Sequence, residues 1–71
     1  MNTIDRIATE PDKLGGKPCI RGYRISVLDV LGYLASGMSE QQIIEDFPQL
    51  EHGDFLAVYQ YATQMARKQA R

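Results

Sequence analysis

Residues 15–25 constrain the fold more than any other segment, because three glycines and a proline lie within eleven positions directly ahead of a strongly amphipathic stretch. Glycine adopts backbone conformations with positive φ and proline fixes its own φ, so this composition favours a stiffened ribbon over a helix. Ile20 and Ile25 are expected to anchor the ribbon to a core. The ribbon carries the cations Lys17, Arg21 and Arg24. It is therefore suited to present positive charge to an anionic partner, the alternative being an ordinary turn whose charges only keep the chain soluble.

A first helix is predicted over residues 26–36 by the spacing of its apolar residues. Ser26 stands at the N-cap position, and Gly37 at the position that ends many helices, because glycine tolerates the left-handed conformation found there. The apolar residues at helical spacing are Val27, Val30, Leu31 and Leu34. They are expected to form the core-facing side of this helix.

Two further helices are predicted after the first. Ser39 and Gln42 form the pattern of a capping box and indicate a short second helix that Pro48 ends. The third helix is predicted roughly over residues 54–70, with Asp54 as its cap, since the residues directly before it cap poorly. This order of helices and turns is that of a helix-turn-helix unit, which by itself does not indicate DNA binding.

The N-terminal part is predicted to form a β-ribbon of two short strands, 4–8 and 20–25. The predicted fold class is therefore mainly α, with a short N-terminal β-ribbon followed by a three-helix, helix-turn-helix-like (homeodomain-like) bundle. We expect a single domain over residues 1–71. Within it, residues 1–25 form the ribbon and basic loop, and residues 26–70 form the helical bundle.

The charged residues are segregated along the chain, although the formal net charge is only −1. Residues 1–25 hold five cations and three acids, and residues 26–66 hold six acids and no lysine or arginine. The last five positions add a second basic cluster, Arg67, Lys68 and Arg71. An anionic partner is therefore expected to meet the two ends of the sequence. For the second cluster, stabilisation of a helix C-terminus is an equally good explanation.

No residue pattern indicates an enzyme, a cofactor or a metal site. His52 is the only histidine and lies in a polar turn, without the acid, base and nucleophile that catalysis requires. Cys19 is the only cysteine, which excludes an intramolecular disulfide, and it is expected to be a small buried apolar residue. With no signal peptide and no run of transmembrane length, we expect a cytoplasmic protein that does not bind membranes.

The chain carries seven short motifs that together resemble a known family. They are Asp5-Arg6-Ile7, Gly15-Gly16-Lys17-Pro18, Ile20-Arg21-Gly22, Arg24-Ile25, Leu34-Ala35-Ser36-Gly37-Met38-Ser39, Ile43-Ile44-Glu45-Asp46-Phe47-Pro48-Gln49-Leu50 and Tyr61-Ala62. They resemble the signature of a small bacterial family catalogued as domain of unknown function four-three-three, over about residues 4–66. One departure lies before the third helix, where the family has a threonine cap and then an acid. This chain has Glu51 and Gly53 at those positions.

The resemblance implies a VapB-like antitoxin, which binds and neutralises a PIN-like ribonuclease toxin encoded beside it. Such nucleases hold divalent metal with clustered carboxylates, and an arginine guanidinium can grip a carboxylate with two hydrogen bonds. The residues expected to bind toxin or DNA are Lys17, Arg21 and Arg24, or else the C-terminal cluster Arg67, Lys68 and Arg71. Autoregulation by binding operator DNA is expected as a second role. The alternatives are a helix-turn-helix-type transcriptional regulator without a toxin partner, and an interaction module with neither activity.

The third helix is not expected to read DNA, because no cation lies between Leu50 and Ala66 to meet the phosphates. It is instead predicted to form a homodimer or a higher even oligomer. A chain of 71 residues buries only a small core, and this helix carries a long apolar stripe. The expected interface residues are Phe55, Tyr59, Tyr61, Ala62 and Met65.

Overall fold

The computed structural model describes residues 3–69, in which a two-stranded ribbon precedes three helices. The strands are β1, Ile7–Thr9, and β2, Pro18–Ile20; the helices are α1, Val27–Ala35, α2, Glu40–Asp46, and α3, His52–Gln69. Short 3-10 turns, Thr3–Arg6 and Leu14–Gly16, lie on either side of β1. This architecture confirms the predicted fold class. Ala70 and Arg71, which the sequence analysis assigned to the third helix and the basic tail, lie outside the described residues.

The strands of the ribbon differ in position from those predicted over 4–8 and 20–25. They pair antiparallel, with Ile7 opposite Ile20. Thr3–Arg6 form a 3-10 turn, so β1 begins later than predicted. β2 ends at Ile20 because a tight turn follows it, so the second strand lies almost entirely before its predicted position.

That turn is fixed by two successive residues with positive φ, Arg21 at 45° and Gly22 at 79°. The N–H of Tyr23 donates to the carbonyl of Ile20 over 2.8 Å and closes the turn. Positive φ at both central residues is the hallmark of a type I′ turn, in which glycine fits without strain. A non-glycine residue in such a conformation costs about 1–3 kcal/mol, so other contacts must hold Arg21 there.

The predicted caps of the first two helices are present. The hydroxyl of Ser26 accepts a hydrogen bond from the Asp29 N–H over 2.9 Å, and Gly37 adopts the left-handed conformation, with φ at 103°, just after α1. Ser39 and Gln42 form both bonds of the capping box, at 3.1 Å and 2.8 Å. Each of these contacts joins residues at most three positions apart, which is why the sequence predicts them.

Helix α3 begins at His52, two residues before the predicted start at Asp54. The Asp54 carboxylate accepts the backbone N–H of Glu51 over 2.8 Å, so it satisfies a helix-start donor from inside the first turn. Gly53 leaves room for the guanidinium of Arg6, because a Cβ at Gly53 would lie only 2.8 Å from that group. Glu51 and Gly53 are therefore both accommodated at the start of α3 by contacts with Asp54 and Arg6.

The core lies where the ribbon and the three helices meet. Its buried hydrophobic residues are Ile20, Ile25, Val27, Val30, Ile43, Leu50, Phe55 and Val58. Burial of both isoleucines confirms that they anchor the ribbon, and Cys19 is buried as predicted, with 1% of its surface exposed. In α1, however, Leu31 and Leu34 are only half-buried at the edge of the core.

Helix α3 continues past this core. From Thr63 to Lys68 every side chain is exposed, because the ribbon and the other helices cover only its first half. No helix within residues 3–69 has the length and apolar character that crossing a membrane requires.

Candidate partner-binding site

The ribbon is held against α3 by an ion pair between Arg21 and Asp54, which are 33 residues apart in sequence. Arg21 Nε donates to Asp54 Oδ1 over 2.8 Å and Nη2 donates to Oδ2 over 3.0 Å, so the guanidinium grips both carboxylate oxygens. Nη2 also donates to the carbonyl of Gln49 over 2.8 Å, and the guanidinium lies 5.0 Å from the centre of the Tyr23 ring. Two-pronged pairs of this kind are the strongest that arginine makes.

Asp54 is the most deeply buried charged group among the described residues, with 1% of its surface exposed. Besides Arg21, it accepts hydrogen bonds from Arg6 Nη1 at 3.0 Å and from the Glu51 N–H at 2.8 Å. Burial by itself raises the pKa of Asp54, but the hydrogen bonds from Arg21, Glu51 and Arg6 outweigh it and hold that pKa below its usual range. The hydrogen bond to Asp54 correspondingly raises the pKa of Arg21. Both groups therefore remain charged at neutral pH.

The turn at Arg21 and Gly22 is clamped from two further directions. The N–H of Arg21 donates to the carbonyl of Arg6 over 2.7 Å. Lys13 Nζ donates to the carbonyl of Gly22 in a short hydrogen bond and also pairs with Glu10. These contacts, together with the ion pair to Asp54, explain how Arg21 is held at positive φ.

Of the three ribbon cations predicted to meet a partner, the structure leaves two exposed. Lys17 and Arg24 have exposed side chains, and neither side chain makes a hydrogen bond or ion pair with another described residue. Arg21 differs from the expectation, because its charge is neutralised by Asp54 within the same chain. Its role is to fix the turn that directly precedes Arg24.

The predicted C-terminal cluster is described only in part. Arg67 and Lys68 are exposed in the last turn of α3, where positive charge stabilises the helix dipole. Arg67 also lines an open depression of about 340 Å³ on the outer face of α3, together with Tyr59, Gln60, Thr63 and Gln64.

A second group of polar side chains joins α2 to α3. The Tyr59 hydroxyl donates to Glu40 Oε2 over 2.5 Å, and His52 Nδ1 lies 2.9 Å from Glu40 Oε1. The hydrogen bond from Tyr59 lowers the pKa of Glu40, and the same bond raises the pKa of Tyr59 to about 12. His52 thus has a carboxylate partner that the sequence did not reveal, because Glu40 is 12 positions away.

We expect Tyr59 to be visible in an alkaline titration of the folded protein. Its pKa of about 12 lies above the ordinary value of about 10. When phenolate absorbance is followed as the pH is raised, one of the four tyrosines should therefore ionise at higher pH than the others. Tyr59→Phe should remove that high-pH step. Because the pKa is higher in the folded state, the stabilisation is complete below about pH 10 and is lost as the pH rises towards 12. Tyr61→Phe is the control and should keep the high-pH step. If Tyr59→Phe instead removes an ionisation step near the ordinary tyrosine pKa, the hydrogen bond to Glu40 is contradicted.

The residues predicted for a dimer interface fall into different environments. Phe55 is 1% exposed and belongs to the core of the single chain, so it is not available to a second copy. Tyr59 and Met65 are 38% and 39% exposed, whereas Tyr61 and Ala62 are half-buried. Phe55 and Tyr59 are four residues apart and lie on the same side of α3, so the helical period does not separate them. Phe55 packs into the core, whereas Tyr59 lies one turn further along, where its hydroxyl reaches Glu40.

In the part of the chain that the structure describes, no group of three or more histidine, cysteine, aspartate or glutamate side chains could hold a metal ion. What the site offers chemically is positive charge on a rigid ribbon.

The sequence analysis identified Asp54 only as a helix cap and missed its pairing with Arg21. No local signal could have identified this pairing, because Arg21 and Asp54 are 33 residues apart in sequence.

Comparison with known proteins identifies the family. Residues 7–62 match the family described as Protein of unknown function (DUF433). An uncharacterized protein from Sinorhizobium fredii, y4eO, is 40% identical over 45 residues, which cover 63% of this chain and 20% of that relative. The crystal structure of a DUF433 member from Anabaena variabilis is similar with a TM-score of 0.82 and 27% identity, covering 89% of this chain and 62% of the other.

This chain therefore spans about a fifth of the curated relative and less than two thirds of the solved one. The family match nevertheless covers most of its length and includes the ribbon, the turn at Arg21 and the three-helix core. The chain belongs to DUF433, a family of proteins of unknown function.

Proposed function

We propose that this domain is an antitoxin that binds and neutralises a PIN-like ribonuclease. The observation that carries the proposal is the pair of exposed cations on the ribbon, Lys17 and Arg24, neither of which has a charged partner among the described residues. They meet the metal-binding carboxylates of the nuclease and occupy the place of its divalent ion. The domain itself performs no catalysis.

The rigidity of the ribbon supports this role. The turn before Arg24 is tied to α3 through Arg21 and to the loop before β2 through Lys13. A cation on a preorganised support binds more tightly than one on a mobile tail, because little conformational freedom is lost on association. The ion pair of Arg21 thus contributes to binding indirectly, by positioning its neighbour.

The charge distribution also favours a partner with concentrated negative charge. Arg24 can grip a carboxylate with two hydrogen bonds, whereas Lys17 acts as a point charge. Among the described residues, the ion pairs of the acids in residues 26–66 are with Arg6, Arg21 and His52 and leave Lys17 and Arg24 without an acidic partner.

The alternative is a DNA-binding regulator, in which the same two cations contact phosphates. One observation limits it to the ribbon: on α3, no lysine or arginine precedes Arg67, and the acids Glu40 and Glu51 lie beside its first turns. Operator binding, as a second role of the antitoxin, uses the ribbon and not the third helix. Salt dependence separates the two partners.

The test is the double variant Lys17→Gln, Arg24→Gln, which removes both charges and leaves Arg21 paired. We expect inhibition of the ribonuclease encoded by the adjacent gene to weaken at least about tenfold, since hydrogen bonds between charged groups are worth roughly 1.5–3 kcal/mol. Added Mg²⁺ should compete with the wild-type domain. The matched control is Arg67→Gln, Lys68→Gln, which removes two exposed cations from the other cluster and should inhibit normally.

Three outcomes are informative. Full inhibition by the ribbon variant together with loss of inhibition by the control variant would assign toxin binding to the C-terminal cluster. Loss of operator binding, with the slope of log affinity against log salt reduced by about two, would favour the DNA-binding alternative. If the adjacent gene product neither co-purifies with the domain nor is inhibited by it, the antitoxin function is rejected.

A further inference from the structure

We propose that a second copy of this chain packs against the outer face of α3, with the two helices antiparallel about a two-fold axis at Thr63. The outer face consists of Leu56, Tyr59, Gln60, Thr63 and Arg67, all of which are exposed. These residues lie at spacings of three, four, seven and eleven from Leu56, so they form one stripe along the helix. This inference goes beyond the proposed function and does not depend on it.

The outer face has apolar surface that the chain itself leaves uncovered. Leu56 and Tyr59 are 41% and 38% exposed, and an open depression of about 340 Å³ is lined by Tyr59, Gln60, Thr63, Gln64 and Arg67. In the same half of the helix, Phe55 and Val58 are already buried in the core. Leu56 and Tyr59 are therefore the large side chains that stay exposed beside the core, and Met65, which is 39% exposed, follows on another side of the helix.

The centre of the outer face suits close contact between two helices. Thr63 is small, as is Ala66 beside this face, and small side chains allow helix axes to approach within the usual 8–10 Å or closer. The Thr63 hydroxyl donates to the carbonyl of Tyr59 over 2.9 Å, so its polar atom is already satisfied within the helix. Its methyl group can therefore meet a neighbour without leaving an unpaired hydroxyl.

The charges on the outer face select a second copy as the occupant and set its direction. Near one end the Glu40 carboxylate is held by Tyr59 and His52, and at the other end stands Arg67. Tyr59 and Arg67 each lie four residues from Thr63, about 6 Å along the axis. An antiparallel copy therefore brings the partner's Arg67 to Tyr59 and Glu40, twice by symmetry. A parallel copy would place the two arginines together and is disfavoured.

Sedimentation and targeted crosslinking test this arrangement on the full chain. At tens of micromolar the protein should have twice the 8.0 kDa mass of one chain. Thr63→Cys should form a disulfide between copies under mild oxidation, since the two positions meet at the axis. Lys68→Cys, exposed on another side of the same helix, is the matched control and should not. Cys19 is buried and is left in place in both variants.

Charge reversal tests the contact between copies. Arg67→Glu should raise the dimer dissociation constant at least about tenfold by facing Glu40 of the partner subunit, and adding Glu40→Arg should restore dimerisation. Circular dichroism establishes that each variant is folded. A wild-type chain that stays monomeric overturns the proposal. So does a dimer whose dissociation constant is unchanged by Arg67→Glu, or one that crosslinks through Lys68→Cys as readily as through Thr63→Cys. If Arg67→Glu weakens ribonuclease inhibition without changing the mass, the outer face belongs to the toxin and the proposal fails.

Discussion

Asp54→Asn is expected to remove about 3–5 kcal/mol from the free energy of unfolding. The change removes the negative charge that accepts two hydrogen bonds from Arg21, so the partly buried guanidinium loses its counter-charge. Removing one partner of a buried ion pair destabilises a protein strongly, because the other charge stays buried without compensation. A domain of this length has a total stability of roughly 4–10 kcal/mol, so about half or more would be lost. Urea unfolding followed by circular dichroism measures the change.

The matched control is Asp46→Asn, because Asp46 is an exposed carboxylate at the end of α2. Negative charge at a helix C-terminus is unfavourable, so this variant should unfold at the wild-type midpoint or slightly above it. The double variant Arg21→Met, Asp54→Leu should lose less than the sum of its two single changes, by about 1–3 kcal/mol. Additive losses would show that the two side chains do not interact.

Acid denaturation gives an independent reading of the same ion pair. The pKa of Asp54 is lower in the folded protein than in the unfolded chain. The stabilisation is therefore fully present above the unfolded value, about 3.9, and is lost as the pH falls through the folded value. Wild-type stability should drop in that range, while Asp54→Asn, which has no carboxyl group to protonate, should show a flatter dependence.

Phe55→Ala is expected to cost about 3–5 kcal/mol, the range for removing a large aromatic side chain from a core. Phe55 is 1% exposed and packs with the other buried residues of the single chain. Its loss should therefore lower the thermal midpoint by the same amount at every protein concentration. An interface residue would behave differently, because the stability of a dimer depends on concentration.

Leu56→Ala is the control for this prediction, since the adjacent side chain is 41% exposed on the outer face of α3. It should change the free energy of unfolding of the single chain by less than about 1 kcal/mol. A Phe55→Ala protein as stable as Leu56→Ala would place Phe55 outside the core. A deficit that grows on dilution would return Phe55 to an interface between copies.

The helices and their caps were predictable because their contacts are local. Ser26, Gly37 and the pair Ser39 and Gln42 satisfy helix ends within three residues, and the structure confirms each of them. The apolar spacing likewise identified the buried side of α1, although Val27 and Val30 lie deeper than Leu31 and Leu34. The exposure of Lys17 and Arg24 also agrees with a ribbon that presents charge, whereas binding by them stays a prediction.

What the sequence by itself determined was the order of ribbon and helices, since periodicity, glycine, proline and capping residues act over a few positions. The tertiary structure decided that Arg21 forms an ion pair within the chain, because its partner Asp54 is 33 residues away and no local pattern pairs them. It also decided that Phe55 is core and Tyr59 is exposed, although both lie on one helix with an apolar stripe. Both outcomes depend on which surface of α3 the ribbon and α1 cover, and that choice is made only when distant segments pack together.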